Sequence, residues 1–442
     1  MQRPAIPTEG QAQVSANGAG EWTSLLVLGK TRGGVDKVLP IVANAVAILV
    51  HDPSWRGVFA WDAFRDAVVC TRAPPWDAVD APTHVGPGEC TDADVVRVST
   101  WLARHYNLAL PVSQIEQAIS VVATRIVVHP VRDWLASLVW DQEPRIDHLF
   151  CDYFGAEDSE YVRGVSYRFM LGAVARVFQP GAKVDCTPVL EGDQGIGKST
   201  GIEALASPAF FFDTPIVMGD KDGYQALRGK WIGELGELHS LTRVDMNRAK
   251  NFLSATTDNY RPSYARRSRD FPRQCVFVGS TNADKYLRDE TGNRRFWPVR
   301  CGTVDVEAIT RDRSQLWAEA VERYRRGEKW HAHGAEFVAS CEEEQEDRFV
   351  RDEWEERIGE WLTSPSHPER VYDGVTIGEV LEGCIKLLVD RWDTALQMRV
   401  GKVLRKLGWT CVKQSRNKEL GGKRERRYRP TSSKAVTDAV TV

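Results

Sequence analysis

The chain has 442 residues, 42% hydrophobic and 27% charged, a balance that excludes a disordered or fibrous protein and fits two or three globular domains. Its nine cysteines form no CxxC pair and no Cys/His cluster at zinc spacing, which excludes a disulfide scaffold and points to reduced thiols in a cytoplasm. The net charge of −3 conceals a strongly basic stretch near the carboxyl end.

Residues 1–20, rich in Gly, Ala, Gln and Pro, lack periodicity and read as disordered. No secretory signal opens the sequence. Its longest apolar run, "VLPIVANAVAILV" (38–50), is too short to span a bilayer and reads as buried core, so no membrane association is expected. Residues 21–125 form a mixed α/β region. In it "GVFAWDAF" and "DAVVCTR" suggest a small β-meander, while "VVRVSTWLARHY" and "VSQIEQAISVVATRIV" have helical spacing. Asp92 and Asp94 have a spacing that a metal site can use, but Thr91 before them and an apolar helical run behind them make a helix N-cap the better reading. His331 and His333, without further ligands, read as surface residues.

Residues 126–335 alternate helices with short apolar strands, the pattern of a parallel-sheet α/β domain with a helical lead-in. Inside it, "GDQGIGKS" (192–199) fits G-x-x-x-x-G-K-[ST] in full. Gly192, Gly195 and Gly197 let the loop turn its N–H groups inward, with Asp193, Gln194, Ile196 and Thr200 completing the cradle. Lys198 is placed to reach the β- and γ-phosphates of ATP and Ser199 to hold Mg²⁺. Downstream, "RGKWIGELGEL" is an apolar strand ending in acids. Glu234 is the expected Mg²⁺ ligand, directly or through water, and Glu237 the base that polarises the attacking water. The alternative is two exposed acids on a sheet rim, and Gly233 and Gly236 weaken the strand reading. "QCVFVGSTN" ends a buried strand at Asn282, either a sensor of the γ-phosphate or an ordinary turn asparagine. "DETGNRRFWPV" leads Arg294 and Arg295 into another apolar strand, where only one of them can face a given phosphate. Arg294 is preferred as a residue acting on a neighbouring subunit's nucleotide; a solvated pair is the alternative.

The order of these blocks, with "HPVRDWLASLVWDQEPRIDHLF" upstream and "KNFLSATTDNYRPSYARRSRDFPRQCVFVGSTN" between the second acid and the sensor, closely resembles the virulence-associated protein E family of phages, prophages and pathogenicity islands. The resemblance covers roughly residues 125–330. It implies an ATPase domain like that of superfamily 3 helicases, within the wider AAA+ group. It puts Lys198 and Ser199 on the Walker A position, Glu234 on Walker B, Asn282 on the sensor and Arg294 on the arginine finger. Many relatives carry an amino-terminal primase domain, for which this sequence has neither room nor a clear acidic motif, so a separate primase or replisome protein is a candidate partner.

Two regions are candidates for DNA. The segment 250–273 interleaves Lys250, Arg261, Arg266, Arg267, Arg269 and Arg273 with Tyr260, Tyr264 and Phe271, cations and stacking faces suited to a single strand. The resemblance implies a pore hairpin here; contact with nucleotide or a neighbouring subunit is the alternative. Residues 336–369 read as a charged helical connector, and 370–442 as a winged-helix-like domain with a flexible tail. From Arg391 to Arg429 there are thirteen Lys/Arg against three Asp/Glu. Leu396, Val400, Val403, Leu404 and Leu407 would face inward on a helix and Arg399, Lys402 and Lys406 outward. A hairpin turning near Gly421–Gly422 would carry Arg424, Arg426 and Arg427 on its wing, for duplex DNA. The expected activity is a DNA-dependent ATPase, a homo-hexameric or similar ring with helicase function in the replication of a mobile element. A regulatory ATPase without unwinding and a small-molecule P-loop kinase are the alternatives.

Overall fold

The structure is a computed structural model, and it describes residues 21–76, 88–213, 220–236, 243–262, 267–287, 293–350, 352–414 and 425–431. The chain divides into two compact units, Met1–Asp284 with Asp289–Asp347, and Lys285–Arg288 with Arg348–Val442.

In the first unit a 3₁₀ turn (Glu21–Leu25) and a short antiparallel pair (Leu28–Lys30 with Asp36–Val38) precede α1 (Val42–His51), the apolar run expected to be core, which buries Ala45, Ile48 and Leu49. Strands β1 (Phe59–Asp62) and β2 (Ala67–Cys70) pair antiparallel as a tight hairpin, and β3 (Gly88–Glu89) extends that sheet. Thr91 caps α2 (Asp92–Tyr106) as expected: its Oγ1 accepts from the Asp94 N–H (3.3 Å) and the Asp94 carboxylate accepts from the Thr91 N–H (2.9 Å). Asp92 and Asp94 are therefore first-turn acids of a capped helix. The next helix, α3 (Val112–Ala123), stops short of the helical pattern, and Val127–Val128 form β4, which pairs parallel with β1. Those two β-branched residues complete a sheet, which outweighs their helical spacing.

A lead-in helix, α4 (Pro130–Ser137), and a long buried helix, α5 (Glu160–Phe178), come before the main sheet. The "WDQEPRID" block between them is a clamp. Arg145 pairs with Asp141 through both guanidinium nitrogens at 2.8 Å, and the buried Glu319 carboxylate accepts from the backbone N–H groups of Arg145 (2.6 Å) and Ile146 (3.0 Å).

The main sheet contains β5 (Thr187–Glu191), β6 (Phe211–Phe212), β7 (Ile232–Leu235), β10 (Val276–Thr281) and β11 (Phe296–Arg300). Between β5 and β6 runs α6 (Lys198–Ala206), and between β7 and β10 lie α7 (Arg243–Ser254) and the antiparallel pair β8 (Thr257–Tyr260) and β9 (Arg269–Pro272). The spatial order is β11-β5-β10-β7-β6, and every neighbouring pair is parallel. The fold class is therefore α/β with a five-stranded parallel core. Its strands are buried on both faces, under α5 and α8 (Val306–Arg325) among others, which is why they read as short continuous apolar runs. No helix among the described residues is long and apolar enough to cross a membrane.

The connector expected over 336–369 is instead two helices in different units. α9 (Ala335–Asp347) belongs to the first, its buried Gln345 donating to Phe296 O (2.9 Å); α10 (Glu353–Leu362) buries Ile358 and Leu362 in the second. Asp352 caps α10 by accepting from Trp354 N (3.0 Å), so a new helix starts where one charged helix was expected to continue. The second unit continues through α11 (Thr394–Lys406) into the antiparallel strands β12 (Trp409–Gln414) and β13 (Glu425–Pro430), with Val375 bridged to Tyr428. Val400, Val403 and Leu404 are buried and Leu396 and Leu407 partly buried against that core, the inward face expected from spacing.

Candidate functional site

In a parallel sheet the carboxyl ends of adjacent strands bring distant residues together at one edge. Here β5 ends at Glu191 and runs into the glycine loop, and α6 begins at Lys198. Gly192, Gly195 and Gly197 have φ of 140°, 87° and 95°, a conformation that side chains with a Cβ resist. Gly192 N donates to Thr281 O (3.3 Å), tying the start of the loop to the end of β10. The Lys198 ammonium donates to the carbonyls of Gly192 (2.7 Å) and Asp193 (2.9 Å), so its charge sits over the loop. A cleft of about 310 Å³ opens here, lined by Gln194, Lys198, Ser199, Ser280, Thr281 and Asn282 among others.

Glu234 lies inside β7 and is 6% exposed. Its Oε1 accepts from Ser199 Oγ (2.9 Å) and from Ser280 Oγ (2.5 Å). Its Oε2 is buried with no hydrogen-bond partner among the described residues. A buried carboxylate oxygen left unsatisfied beside a serine hydroxyl is a donor set that fits a hard divalent cation. Glu234 is thus a buried acid bonded to two serines of the cleft lining and not an exposed rim acid.

The flanking glycine that weakened the strand reading has a packing cause. A Cβ on Gly233 would overlap the ring of Phe212 on the neighbouring strand β6, and Phe212 is itself 7% exposed. Gly233→Ala is therefore expected to destabilise the first unit by about 1–3 kcal/mol, seen as a lower melting temperature.

Ser280 was not foreseen, although the signal was present. Residues i and i+2 on a strand share a face, so Ser280 and Asn282 follow one alternation, and Ser280 is two residues beyond Val278, the direct partner of Glu234. Asn282 lies in the cleft lining immediately after β10. Glu237 lies outside the described residues.

Arg294 and Arg295 are on a short 3₁₀ turn before β11, not within the strand as the sequence suggested. The register pairs Phe296 with Thr187 and Arg300 with Glu191. The arginines are thus at the amino end of the sheet, a five-residue strand, roughly 16 Å, away from the loop of their own chain. Arg295 donates through Nε to Ser254 Oγ (2.5 Å) and is half-buried, whereas Arg294 is exposed.

The candidate DNA residues fare unequally. Lys250 is 4% exposed on α7, so its ammonium is not on the surface as expected. Arg261 and Arg267 are exposed, near the inner ends of the β8–β9 hairpin; Tyr264 and Arg266 lie outside the described residues. The hairpin base is fixed by the buried pair Arg273–Asp258. In the second unit Arg399 makes a two-pronged pair with Asp352 (2.9 and 2.7 Å) and stacks on Trp354, and Lys406 pairs with Glu355 (2.8 Å). Arg427 pairs with Glu379 (2.9 Å). Arg399 and Lys406 were expected on the outer helix face and Arg427 on the wing for DNA; all three are in part neutralised by acids of their own unit. Lys402 is half-buried, Arg426 is exposed, and Arg424 lies outside the described residues.

Away from the cleft, ligand atoms of His148, Cys151 and Asp158 lie within 4.8 Å of one another, a grouping the sequence spacing did not reveal. Arg163 already binds both Asp158 oxygens (2.6 and 2.5 Å), and burial pushes the Cys151 thiol up to about 11. Both features oppose a metal there. His331 and His333 stand together (ring centres 5.9 Å apart), with His333 bonded to the His331 carbonyl.

Residues 135–350 match the family described as the virulence-associated protein E-like domain. This part of the chain is a virulence-associated protein E-like domain. The match contains the glycine loop, Glu234, Asn282, Arg294 and the clamp at Asp141–Ile146. No curated protein matches the chain. Among solved structures, the apo form of the NrS-1 C-terminal region (305–718) matches with 15% identity and a TM-score of 0.41, over 86% of this chain and 99% of that one. An A form of the same apo region gives 17% identity and a TM-score of 0.34, over 67% and 78%. Likenesses this loose carry nothing about activity.

Proposed function

We propose that the virulence-associated E-like domain hydrolyses ATP, that hydrolysis is coupled to DNA, and that the protein serves replication of a phage or other mobile element as a ring-forming helicase. The observation that carries the reading is the convergence of Ser199, Ser280 and Asn282 on one cleft at a full glycine–lysine loop, with the buried Glu234 carboxylate bonded to both serines. The loop's N–H groups and the first turn of α6 bind and orient the triphosphate. Lys198 exchanges the carbonyls of Gly192 and Asp193 for phosphate oxygens. Ser199 and Glu234 are the residues that would hold Mg²⁺, which spreads the charge of the transferred phosphoryl group. Asn282 orients the attacking water, and Glu237 polarises it. An arginine that cannot reach its own loop is explained by assembly, so Arg294 serves the nucleotide of the next subunit.

The second unit supports duplex binding through its element order: α10, a short helix (Glu369–Asp373), the Val375 bridge, a helical stretch (377–384), a 3₁₀ turn, α11, then a hairpin, the last helix and hairpin arranged in sequence as in a winged helix. Its exposed Arg426 is the clearest phosphate contact. Arg426→Ala is expected to weaken duplex binding equally for all sequences and to reduce the log–log salt slope by about 0.9, measured by fluorescence anisotropy at several salt concentrations. The test of the whole reading is ATP hydrolysis with and without single-stranded DNA, beside unwinding of a forked duplex. Stimulated hydrolysis without strand separation would favour a regulatory ATPase, and phosphate transfer to a metabolite without DNA would favour a kinase.

A further inference from the structure

The turn of the β1–β2 hairpin enters the ATPase core. Phe64 is 4% exposed within the main core cluster, and its carbonyl accepts from Gly229 N (3.1 Å). Two residues on, Asp66 has φ of 55°, left-handed backbone that Asp and Asn tolerate better than most residues. Its carboxylate is bonded by Arg269 of β9 and lies 3.4 Å from Arg228 Nη2.

These arginines belong to a ladder of cations and rings at the hairpin stem. Arg228 lies over Phe271 (4.5 Å) and Tyr260 (5.3 Å), and Arg269 also over Phe271 (4.7 Å). Tyr260 and Phe271 stack at 4.5 Å. A recess of about 200 Å³ is lined by these groups and Asp66. Its other charges are already committed: Arg273 is paired with Asp258, and Asp270 accepts from Asn259 (2.5 Å). Two guanidinium groups therefore face one carboxylate. Arg228 donates through Nε to the Tyr260 hydroxyl (2.6 Å), while its buried Nη2, ion-paired with Asp66, makes no hydrogen bond among the described residues, a donor that an additional acceptor would satisfy. Burial also raises the Asp66 pKa in spite of both arginines, so its ionised form is weakly held.

We infer that Asp66 is a built-in stand-in for a nucleic-acid phosphate: it occupies the Arg228/Arg269 pair and restrains single-stranded DNA from engaging the hairpin stem. This assigns the amino-terminal region a regulatory role and makes Arg228, outside the basic segment that the sequence singles out, a contact for the strand. It rests on the single-strand reading of the hairpin. Stacking of bases on Phe271 and exchange of Asp66 for a backbone phosphate would come together.

The test compares wild-type protein, Asp66→Asn, Asp66→Asn with Arg269→Ala, and Arg267→Ala for binding of a fluorescent oligothymidylate at several salt concentrations. Asparagine keeps the left-handed turn and removes only the charge. Asp66→Asn is expected to bind about three- to tenfold more tightly at low salt, with a slope steeper by roughly 0.7 for each cation released. Adding Arg269→Ala should reverse most of that gain. If Arg267→Ala weakens binding but Asp66→Asn changes neither affinity nor slope at unaltered melting temperature, the stand-in is wrong while the hairpin reading stands. If no protein binds the oligonucleotide even at low salt, the hairpin reading fails and the stand-in with it.

Discussion

Lys198→Ala is expected to reduce ATP hydrolysis by about 10²–10³-fold while leaving the fold intact. Among the described residues the ammonium donates to the Gly192 and Asp193 carbonyls, which the loop can present to water when the side chain is gone. Glu234→Gln should cost a similar factor by a different route. The amide keeps the volume and a bond to Ser199 or Ser280, but it removes the charge that the buried Oε2 position needs to hold Mg²⁺. The measurements are phosphate release and binding of a fluorescent ATP analogue with and without Mg²⁺. Glu234→Gln should still bind the analogue but lose the gain that Mg²⁺ gives the wild type. Hydrolysis at the wild-type rate in either variant would remove the cleft from the mechanism.

Arg294→Ala is expected to lower hydrolysis by about 10³-fold or more, the range for a finger supplied by a neighbour, with nucleotide affinity changed much less. Arg295→Ala should act differently. It breaks the bond to Ser254 Oγ at the end of α7 and so lowers the melting temperature more than Arg294→Ala does. The decisive experiment mixes Arg294→Ala subunits with Lys198→Ala subunits, each inactive alone. Some interfaces in mixed rings then combine an intact loop with an intact arginine, and activity should reappear with a maximum at intermediate ratios. No recovery in rings shown to be mixed would exclude action between subunits. Activity of Arg294→Ala alone at the wild-type level would exclude a finger at this residue.

Which readings were accessible from sequence depends on how far apart the cooperating residues lie. The glycine loop is a run of consecutive residues whose backbone conformation depends on glycines, so it was legible without neighbours. The same holds for Thr91 and its capping acids. Glu234 was legible as a strand acid but not as a buried one, because its burial comes from Ser199, 35 residues before it, and Ser280, 46 after it. Gly233 counted against a strand until Phe212 explained it.

What the sequence by itself determined, then, is the character of contiguous segments: the glycine loop, the capped helices, the apolar strands of an α/β core and the family blocks that hold them. The tertiary structure decided which charges remain available. It buried Lys250, tied Arg399, Lys406 and Arg427 to acids on other elements, and bonded Arg295 to Ser254 while leaving Arg294 exposed. It also set Asp66 against Arg228 and Arg269, across more than 150 residues of sequence. The physical reason is that a backbone conformation is decided by local sterics, whereas the net field at a cation depends on every carboxylate packed within a few ångströms, and packing is non-local.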